Sequence, residues 1–283
     1  MYYKSSHLIS TIVVVFNGAK TLQQCIDSIV QQTYPSKELI IIDGGSKDGT
    51  VDLLKANCEQ ISYWISEPDR GIYNAFNKGL AQAKGEWICF LGADDYFWDS
   101  NVLERMSEHL ERLPSSIRVA YGQVMIVNPE GEKICLLGEP WKKKGDRFMQ
   151  IILFMPHQGV MHRRSLFEQH GQFDESFQIT GDNELLLREL KTADPFFIPG
   201  IIITAMQQGG ISSEPASSLL VMRETMYAAT MHNQRLPRWY WLMAMAKAYI
   251  KLLLRGVVGE RLVMKLLNIY SRVKRIRPFG KRT

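Results

Sequence analysis

The chain has 283 residues, of which 46% are hydrophobic and 22% are charged, and it contains no low-complexity segment and no repeat of fixed period. This composition is typical of a folded protein and excludes a repeat protein, and the length suffices for one large α/β domain and a smaller appendage. The four cysteines are scattered without a C-x-x-C pair, so we expect a reducing cytosol and neither a disulfide framework nor a zinc site.

The net charge of +5 is unevenly distributed. Residues 235–283 contain 13 Lys and Arg and one acid, Glu260, so this segment carries +12 and residues 1–234 carry −7. An acidic body followed by a basic tail indicates two functional regions. The apolar run Ile12–Phe16 is too short for a signal peptide, so we interpret it as part of a strand and expect no signal peptide.

Short apolar runs alternate with amphipathic segments in the first hundred residues. We predict strands at Ser10–Phe16, Leu39–Ile42, Tyr63–Ser66 and Trp87–Leu91, and helices at Thr21–Gln31, Val51–Cys58 and Ile72–Ala83. This alternation is typical of a doubly wound α/β fold with a mostly parallel sheet flanked by helices. Such sheets bind ligands beyond the carboxyl ends of their strands, where loops 43–50 and 92–95 lie.

The pattern is less regular after residue 118. We predict a hairpin from Val119–Val127 and Lys133–Leu137, and helices at Arg164–His170 and Gly181–Lys191. We interpret Ser212–Ser218 as a hinge into a helical extension. The predicted organisation is therefore one domain at residues 1–215 and a basic helical tail at residues 216–283.

Two adjacent acids, Asp94 and Asp95, follow the apolar strand at residues 87–91. Carboxylates at a strand exit suit a hard divalent cation, which in turn binds phosphate oxygens. A solvated loop, or the N-cap of a following helix, explains the same pair when it is taken alone.

Two further loops carry polar residues suited to a nucleotide. Residues 43–50 lack the G-x-G-x-x-G and G-K-S/T patterns of dinucleotide and P-loop sites, but their glycines permit close approach and Asp43 suits a base or ribose. Arg70 and Lys78 suit a diphosphate. Turns, helix caps and solvated charges explain these residues equally well one motif at a time.

Four segments occur together in a fixed order: Val13-Val-Val-Phe-Asn17, Ile42-Asp-Gly-Gly-Ser-x-Asp-Gly-Thr50, Asp69-Arg-Gly-x-x-x-Ala-x-Asn-x-Gly79 and Phe90-Leu-Gly-Ala-Asp-Asp95. Together they resemble glycosyltransferase family 2, of the bacterial surface-polysaccharide type, over about residues 8–212. The resemblance implies a GT-A fold, sugar transfer from a nucleotide-diphosphate sugar, and a Mn²⁺ or Mg²⁺ cofactor that acts as a Lewis acid for the departing nucleoside diphosphate.

The resemblance also implies residue roles. Asp43 would touch the nucleotide base, Arg70 would face the diphosphate, and Asp94 and Asp95 would replace the metal-binding D-x-D motif. The residues expected to bind donor or acceptor are Phe16, Asn17, Asp43, Gly44, Arg70, Asn74, Lys78, Asp94, His157 and Gln158. The two last belong to Pro156-His-Gln-Gly159, which resembles the same subfamily and would line the sugar or acceptor pocket.

The chain departs from the family pattern at two positions. Many relatives have two acids where this chain has Asp43-Gly44, so one base contact is expected to be missing. A UDP-sugar is favoured over a GDP-sugar, and the missing acid leaves that preference open. Gly92 stands where the first acid of D-x-D often is, so the metal ligand is either Asp94 or Asp95, with Asp94 favoured.

The catalytic base is expected in Thr180-Gly-Asp-Asn-Glu-Leu185, which follows Phe173-Asp-Glu-Ser-Phe177. By resemblance Asp182 matches the family's base, and Glu184 is the second choice. The base takes the proton of the acceptor hydroxyl as its oxygen attacks the anomeric carbon. An acid favoured by a helix dipole explains the same position without catalysis.

The basic tail predicts contact with a membrane surface. Residues 239–258 are apolar, with Lys247, Lys251 and Arg255 spaced on one helix face, which favours an interfacial helix over a spanning one. Six Lys and Arg within residues 272–282 suit anionic headgroups. Packing of this helix on the domain is the alternative, and no nucleic-acid partner is expected.

Together these expectations describe a metal-dependent, inverting, hexosyltransferase-type enzyme. Its acceptor would be a glycan or a lipid-linked glycan in cell-surface polysaccharide biosynthesis, at the cytoplasmic face of the cell membrane. A catalytically inactive nucleotide-binding scaffold of the same fold is the alternative. A sugar-phosphate nucleotidyltransferase is discounted, because Val13–Leu22 has only Gly18 and Lys20 where a Gly-rich basic loop is needed.

Overall fold

The computed structural model describes residues 7–210 and 217–234, and in addition residues 237, 242, 245 and 246. Its strands are β1 Ile9–Val15, β2 Lys37–Asp43, β3 Tyr63–Ser66, β4 Trp87–Gly92, β5 Tyr96–Phe97, β6 Val119–Val127, β7 Lys133–Leu137, β8 Val160–Arg163 and β9 Phe196–Gln207. Its helices are α1 Leu22–Val30, α2 Thr50–Ala56, α3 Ile72–Gln82, α4 Val102–Leu110, α5 Arg147–Phe154, α6 Arg164–His170, α7 Gly181–Leu190 and α8 Ser218–Met231.

The strands form one mixed sheet in the order β3-β2-β1-β4-β8-β6-β9-β5, with β7 paired to β6. The four strands from β3 to β4 run parallel, β8 is antiparallel to its neighbours, and β6 and β9 are again parallel. This architecture confirms the predicted α/β class with a mostly parallel sheet flanked by helices. Because neighbouring parallel strands end at the same edge, the loops after β1, β2, β3 and β4 are neighbours.

Helices cover both faces of the sheet, which explains why β1 is buried along its whole length. Ile12 and Val14 belong to the hydrophobic cluster that includes residues of α3, α5 and α7. Val13 and Val15 point the other way and join the cluster that includes residues of α1 and α4. Alternate strand residues therefore anchor helices on opposite faces, and the strand exits stay fixed.

The sequence does not predict β9, although it is 12 residues long and pairs with both β5 and β6. Its interior contains Pro199 and Gly200, and Gly200 has a φ of 75°. Proline has no N–H for the ladder, and glycine in a strand marks a bend. The pairing register with β6 also shifts near Tyr121. Because of these irregularities, the segment lacks the regular residue pattern by which a strand is recognised in a sequence.

Helix α8 packs against α7, and Ala228 and Ala229 belong to the same hydrophobic cluster as the α7 leucines. Residues 212–216 of the predicted hinge lie outside the described residues. The predicted interfacial helix lies outside them as well, apart from residues 242, 245 and 246, and so does the polybasic end. The domain boundary at residues 215–216 stays a prediction. No helix within the described ranges has the length and apolar character needed to cross a bilayer.

Candidate active site

The loops that follow four neighbouring parallel strands meet at one edge of the sheet. They comprise residues 16–21 after β1, 44–49 after β2, 67–71 after β3 and 93–95 after β4. Helix α3 begins directly after the third of these loops. Most residues predicted to bind the donor lie in these loops or in α3, so the fold brings them to one edge.

Hydrogen bonds join the first two loops. Asn17 has a left-handed φ of 52°, donates its backbone N–H to Ser46 Oγ at 2.6 Å, and accepts from the Lys47 N–H at 3.0 Å. Asparagine adopts this conformation more readily than most residues. Two further N–H groups of the first loop donate to the side chains of Thr50 and Asp48. These four hydrogen bonds, two of which involve Asn17, fix the two loops relative to each other.

Asp43 lies at the end of β2 and is fully buried. Its carboxylate accepts hydrogen bonds from the N–H groups of Gly45 at 3.2 Å and Ser46 at 3.0 Å, and from the Ser66 hydroxyl at 2.5 Å. The Ser46 hydroxyl also donates to it. Asp43, predicted to contact the base, therefore holds the 44–46 turn through these hydrogen bonds.

Phe16, Gly44 and Asp69 lie side by side, on the loops that follow β1, β2 and β3. The Phe16 side chain is exposed, with 67% of its surface accessible. A Cβ at Gly44 would lie only 2.5 Å from Asp69 Oδ2 and 3.4 Å from Phe16 Cδ2. The space that a second acid at position 44 would enter is therefore occupied by the Asp69 carboxylate. Asp69 was quoted in the sequence motif but was not among the expected site residues.

The predicted diphosphate ligand Arg70 is paired with an acid. Its guanidinium lies 2.5 Å from Glu175 Oε2, and Asn74 and Asn77 donate amide hydrogen bonds to the same carboxylate at 3.0 and 3.1 Å. Hydrogen bonds from Asn77, Arg70 and Asn74 lower the pKa of Glu175 below its usual range. Glu175 thus ties the loop before α7 to the start of α3.

The second predicted diphosphate ligand, Lys78, is also engaged. Its ammonium group lies 2.7 Å from Glu67 Oε1 and donates a hydrogen bond to the Pro68 carbonyl at 3.0 Å. Both contacts are with the loop that follows β3. The ion pair is partly exposed, and ion pairs near the surface contribute little to stability, so a diphosphate can displace it at low cost.

The two adjacent acids have different surroundings. Asp95 is buried and accepts hydrogen bonds from the N–H groups of Gly92 and Gln207, both at 3.3 Å, and from the Gln158 side chain. Burial, and then the charge of Asp94, raise the pKa of Asp95 well above its usual range. Asp94 is partly exposed, and within the described part of the chain it accepts no hydrogen bond.

The residues present fit a divalent cation that is shared with a substrate. In the described ranges no group of three or more His, Cys, Asp or Glu side chains is arranged to hold a metal alone. Cations at nucleotide sites are commonly held by one or two carboxylates together with substrate phosphates. Asp94 offers such a carboxylate at a strand exit, and Asp95 fixes the loop that carries it.

His157 lies in an aromatic part of the core. Its ring stacks on Phe90 with centroids 5.7 Å apart and meets the edges of Phe173 and His162. The residue is only 8% exposed, and burial lowers its pKa to about 4, so it is neutral at pH 7. The structure therefore places His157 in the core and brings only its neighbour Gln158 to the acidic loop.

Asp182 lies in the first turn of α7, beside the start of α3. The Tyr73 hydroxyl donates to its carboxylate at 3.3 Å and accepts from its backbone N–H at 3.3 Å. Gly181 permits this approach, because a Cβ there would lie 2.9 Å from the Tyr73 ring. Asp182 is half-buried, and burial raises its pKa to about 6. It therefore combines access to solvent with the proton affinity that suits a general base.

The second-choice base, Glu184, is differently placed. It is 1% exposed, and its carboxylate is paired with the guanidinium of Arg188 and with His232 Nε2, at 2.5 and 2.7 Å. A buried carboxylate with two cationic or donor partners is poorly suited to take a proton from a substrate. The geometry thus favours Asp182.

Two residues that shape this region carry no local signal in the sequence. Tyr73 has the spacing of a buried helix residue, and Glu175 stands in a loop rich in acids. Their partners are about a hundred residues away along the chain. Only the tertiary structure reveals that Tyr73 contacts Asp182 and that Glu175 contacts Arg70.

Comparisons with known proteins agree with this architecture. The model of the family described as glycosyl transferase family 2 matches residues 10–171. A "PGL/p-HBAD biosynthesis glycosyltransferase" of Mycobacterium tuberculosis is 29% identical over 188 residues, which cover 64% of this chain and 69% of the relative. An uncharacterized glycosyltransferase of the same species is 31% identical over 217 residues, which cover 75% of this chain and 80% of the relative.

Solved structures share the fold. S. aureus TarS 1-349 in complex with UDP-GlcNAc matches with a TM-score of 0.60 and 17% identity, over 88% of this chain and 73% of that chain. The mannosyltransferase PcManGT from Pyrobaculum calidifontis, in complex with GDP-Man and Mn²⁺, matches with a TM-score of 0.60 and 16% identity, over 96% and 81%. At these identities the likeness concerns the fold alone, and it confirms the predicted GT-A architecture.

Proposed function

This chain belongs to glycosyltransferase family 2 and is a nucleotide-sugar glycosyltransferase, and we propose that it is a metal-dependent, inverting hexosyltransferase with Asp182 as its base. The observation that carries this proposal is the half-buried Asp182, whose pKa is raised to about 6 and which is held by Tyr73 beside the loops of the strand exits. A base of this proton affinity is ionised at neutral pH yet still able to accept a proton.

The donor occupies the edge formed by the four loops. Its base lies against the adjacent residues Phe16, Gly44 and Asp69, where an exposed ring offers a stacking surface and a carboxylate offers an acceptor. Asp43 supports this region by holding the 44–46 turn through hydrogen bonds. A UDP-sugar is favoured over a GDP-sugar on the motif resemblance alone, since of the two similar structures TarS holds UDP-GlcNAc and PcManGT holds GDP-Man.

The diphosphate lies near Asp94 and Arg70. Asp94, supported by the buried Asp95, would hold a Mn²⁺ or Mg²⁺ ion, which when bound offsets the charge of the departing diphosphate. Arg70 leaves Glu175 and turns its planar guanidinium to the phosphate oxygens. Asn74 then retains Glu175, so this carboxylate keeps a hydrogen-bond partner.

The reaction is a single displacement. The acceptor hydroxyl oxygen forms a bond to the anomeric carbon, the bond from that carbon to the diphosphate oxygen breaks, and the hydroxyl proton passes to the Asp182 carboxylate. Attack from the side opposite the leaving group inverts the anomeric centre. The Tyr73 hydroxyl orients Asp182 during the transfer.

A thermal-shift panel tests the donor site. UDP, GDP, dTDP, CDP and NAD are each added with and without Mn²⁺. A ligand at about 100 times its dissociation constant stabilises a fold by about 2.7 kcal/mol. We expect a Mn²⁺-dependent shift with UDP. A shift with NAD, or the absence of any shift with the nucleoside diphosphates, contradicts the proposed donor site.

We propose a glycan or lipid-linked glycan as acceptor, in cell-surface polysaccharide biosynthesis at the inner face of the membrane. The supporting observations are the charge of +12 on residues 235–283 and a relative that is named for PGL/p-HBAD biosynthesis. Deletion of residues 235–283 is expected to abolish cosedimentation with anionic vesicles. Vesicles of neutral lipid serve as the control, and unchanged binding to anionic vesicles by the truncated protein contradicts the proposal.

One observation favours a second candidate, a nucleotide-binding scaffold without turnover. Both cations predicted to face the diphosphate, Arg70 and Lys78, are paired with acids. A scaffold binds UDP in the thermal-shift panel but releases no sugar from a UDP-sugar in the presence of acceptors. Release of UDP that depends on an acceptor excludes this candidate.

A further inference from the structure

A single carboxylate on α8 collects the hydrogen bonds of the turn before α7. Glu224 accepts from three successive backbone N–H groups, those of Gln178 at 2.7 Å and of Ile179 and Thr180 at 2.9 Å. The Thr180 hydroxyl also donates to it, at 3.3 Å. Two residues later in the chain stands Asp182, so Glu224 binds the turn that presents the base.

The hydrogen bonds from the 178–180 turn compensate for the burial of the Glu224 carboxylate. Glu224 is only 7% exposed, and burying a carboxylate is costly unless hydrogen bonds compensate it. Charge-assisted bonds from backbone N–H groups are among the strongest compensating contacts. Thr180, the residue before α7, makes no side-chain cap to its own helix. Its hydroxyl is directed to Glu224 instead, so the turn depends on α8 for its hydrogen bonds.

A second contact ties α8 to the same region. His232, at the end of α8, lies 2.7 Å from Glu184 in the first turn of α7. The face of α8 between the two contacts is buried, with Ala228 and Ala229 in the core. Helix α8 is thus attached at two points, two turns apart, to the segment that carries Asp182.

We propose that Glu224 is a positioning residue for sugar transfer: by holding the 178–180 turn it fixes Asp182 against Tyr73, which makes α8 part of the catalytic unit. This inference rests on the proposed role of Asp182. It extends the catalytic unit beyond residue 215 and gives the beginning of the tail a function apart from any membrane contact. Misplacement of a catalytic group by about 1 Å can cost about 100-fold in rate.

The charge of Glu224 gives the proposal a distinctive readout. Two ionisable groups from other elements act on Asp182, Tyr73 from α3 and Glu224 from α8. Burial is the main cause of the raised pKa of Asp182, and the negative charge of Glu224 raises it further. Removal of that charge lowers the pKa of Asp182. A helix that only stabilises the fold has no such effect on the pH profile.

The test is Glu224→Gln in the full-length protein, assayed by UDP release with a saturating UDP-sugar. We expect kcat to fall by about 10- to 100-fold while the donor KM and the UDP-induced thermal shift stay unchanged. The acid limb of kcat/KM is expected to move to lower pH. Glu168→Gln, the same chemical change at an exposed position of α6, is the matched control and should behave as wild type.

A second variant guards against misfolding. Glu224→Asp keeps the charge but is one methylene too short to reach all three N–H groups, so kcat should fall while the acid limb stays at the wild-type pH. Wild-type kcat and pH profile in the folded fraction of either variant overturn the inference. Lack of acceptor-dependent UDP release by the wild-type protein instead overturns the proposed function, so the two failures are distinguishable.

Discussion

Asp182→Asn is expected to lower kcat by about 1000-fold, since general-base catalysis contributes about 10²- to 10⁴-fold. The amide has nearly the shape of the carboxyl group and keeps the contact with Tyr73, but it cannot accept the proton of the acceptor hydroxyl. Donor binding involves other loops, so the Mn²⁺-dependent shift with UDP should remain. Acceptor-dependent UDP release at saturating donor measures the effect.

Asp52→Asn is the matched control, because it makes the same chemical change on the exposed surface of α2. It should leave both kcat and the thermal shift unchanged. Transfer by Asp182→Asn at more than a tenth of the wild-type rate would remove Asp182 as the base. Glu184 would then not replace it readily, since its carboxylate is buried against Arg188 and His232.

The pH dependence of the wild-type enzyme follows from the same residue. Its pKa is raised to about 6, so Asp182 is protonated and inactive as a base below that pH. The value of kcat/KM should therefore rise with pH through about 6 and level off above about 7. This acid limb should be absent from the residual activity of Asp182→Asn. The profile is measured with a water-soluble acceptor, so that membrane binding does not contribute to it.

Local sequence patterns were sufficient for the framework of the fold. The strands β1, β2 and β4 contain the uninterrupted apolar runs Ile12–Val15, Leu39–Ile42 and Trp87–Leu91, and the helices between them have a regular apolar spacing, so their order indicates a parallel sheet. The order of the strands also indicates which residues lie at their carboxyl ends. This is why Asp43 and the pair Asp94 and Asp95 were predicted at one edge before their surroundings were known.

The state of each site residue depends on contacts that no local pattern contains. Asp43 is saturated by Ser46 and Ser66, and Arg70 is paired with Glu175, which is 105 positions away. His157 matched a motif, yet its ring belongs to the aromatic core. Sequence position fixes the loop on which a residue stands, whereas packing of distant segments decides whether its side chain is open to a ligand.

Substitutions of the two adjacent acids should have different effects: that of Asp94 should impair metal binding, and that of Asp95 should impair the structure of the loop. Asp94→Asn is expected to remove the Mn²⁺-dependent part of the UDP thermal shift and to lower kcat by about 100-fold or more, because the partly exposed carboxylate is the oxygen ligand offered to the cation. A UDP titration with Mn²⁺, with Mg²⁺ and with a chelator measures the effect. The stability of the ligand-free protein should change little, since Asp94 accepts no hydrogen bond from the described residues.

Asp95→Asn is the matched comparison and should have the opposite profile. Its carboxylate joins the Gly92 and Gln207 N–H groups, and so connects the exit of β4 to the end of β9. An amide NH₂ cannot accept one of these bonds, which costs about 1–3 kcal/mol of stability when the donor stays buried. Binding of Mn²⁺ with UDP should persist in this variant. If Asp95→Asn abolishes the Mn²⁺ dependence while Asp94→Asn retains it, the cation is held by the buried acid and the assignment must be reversed.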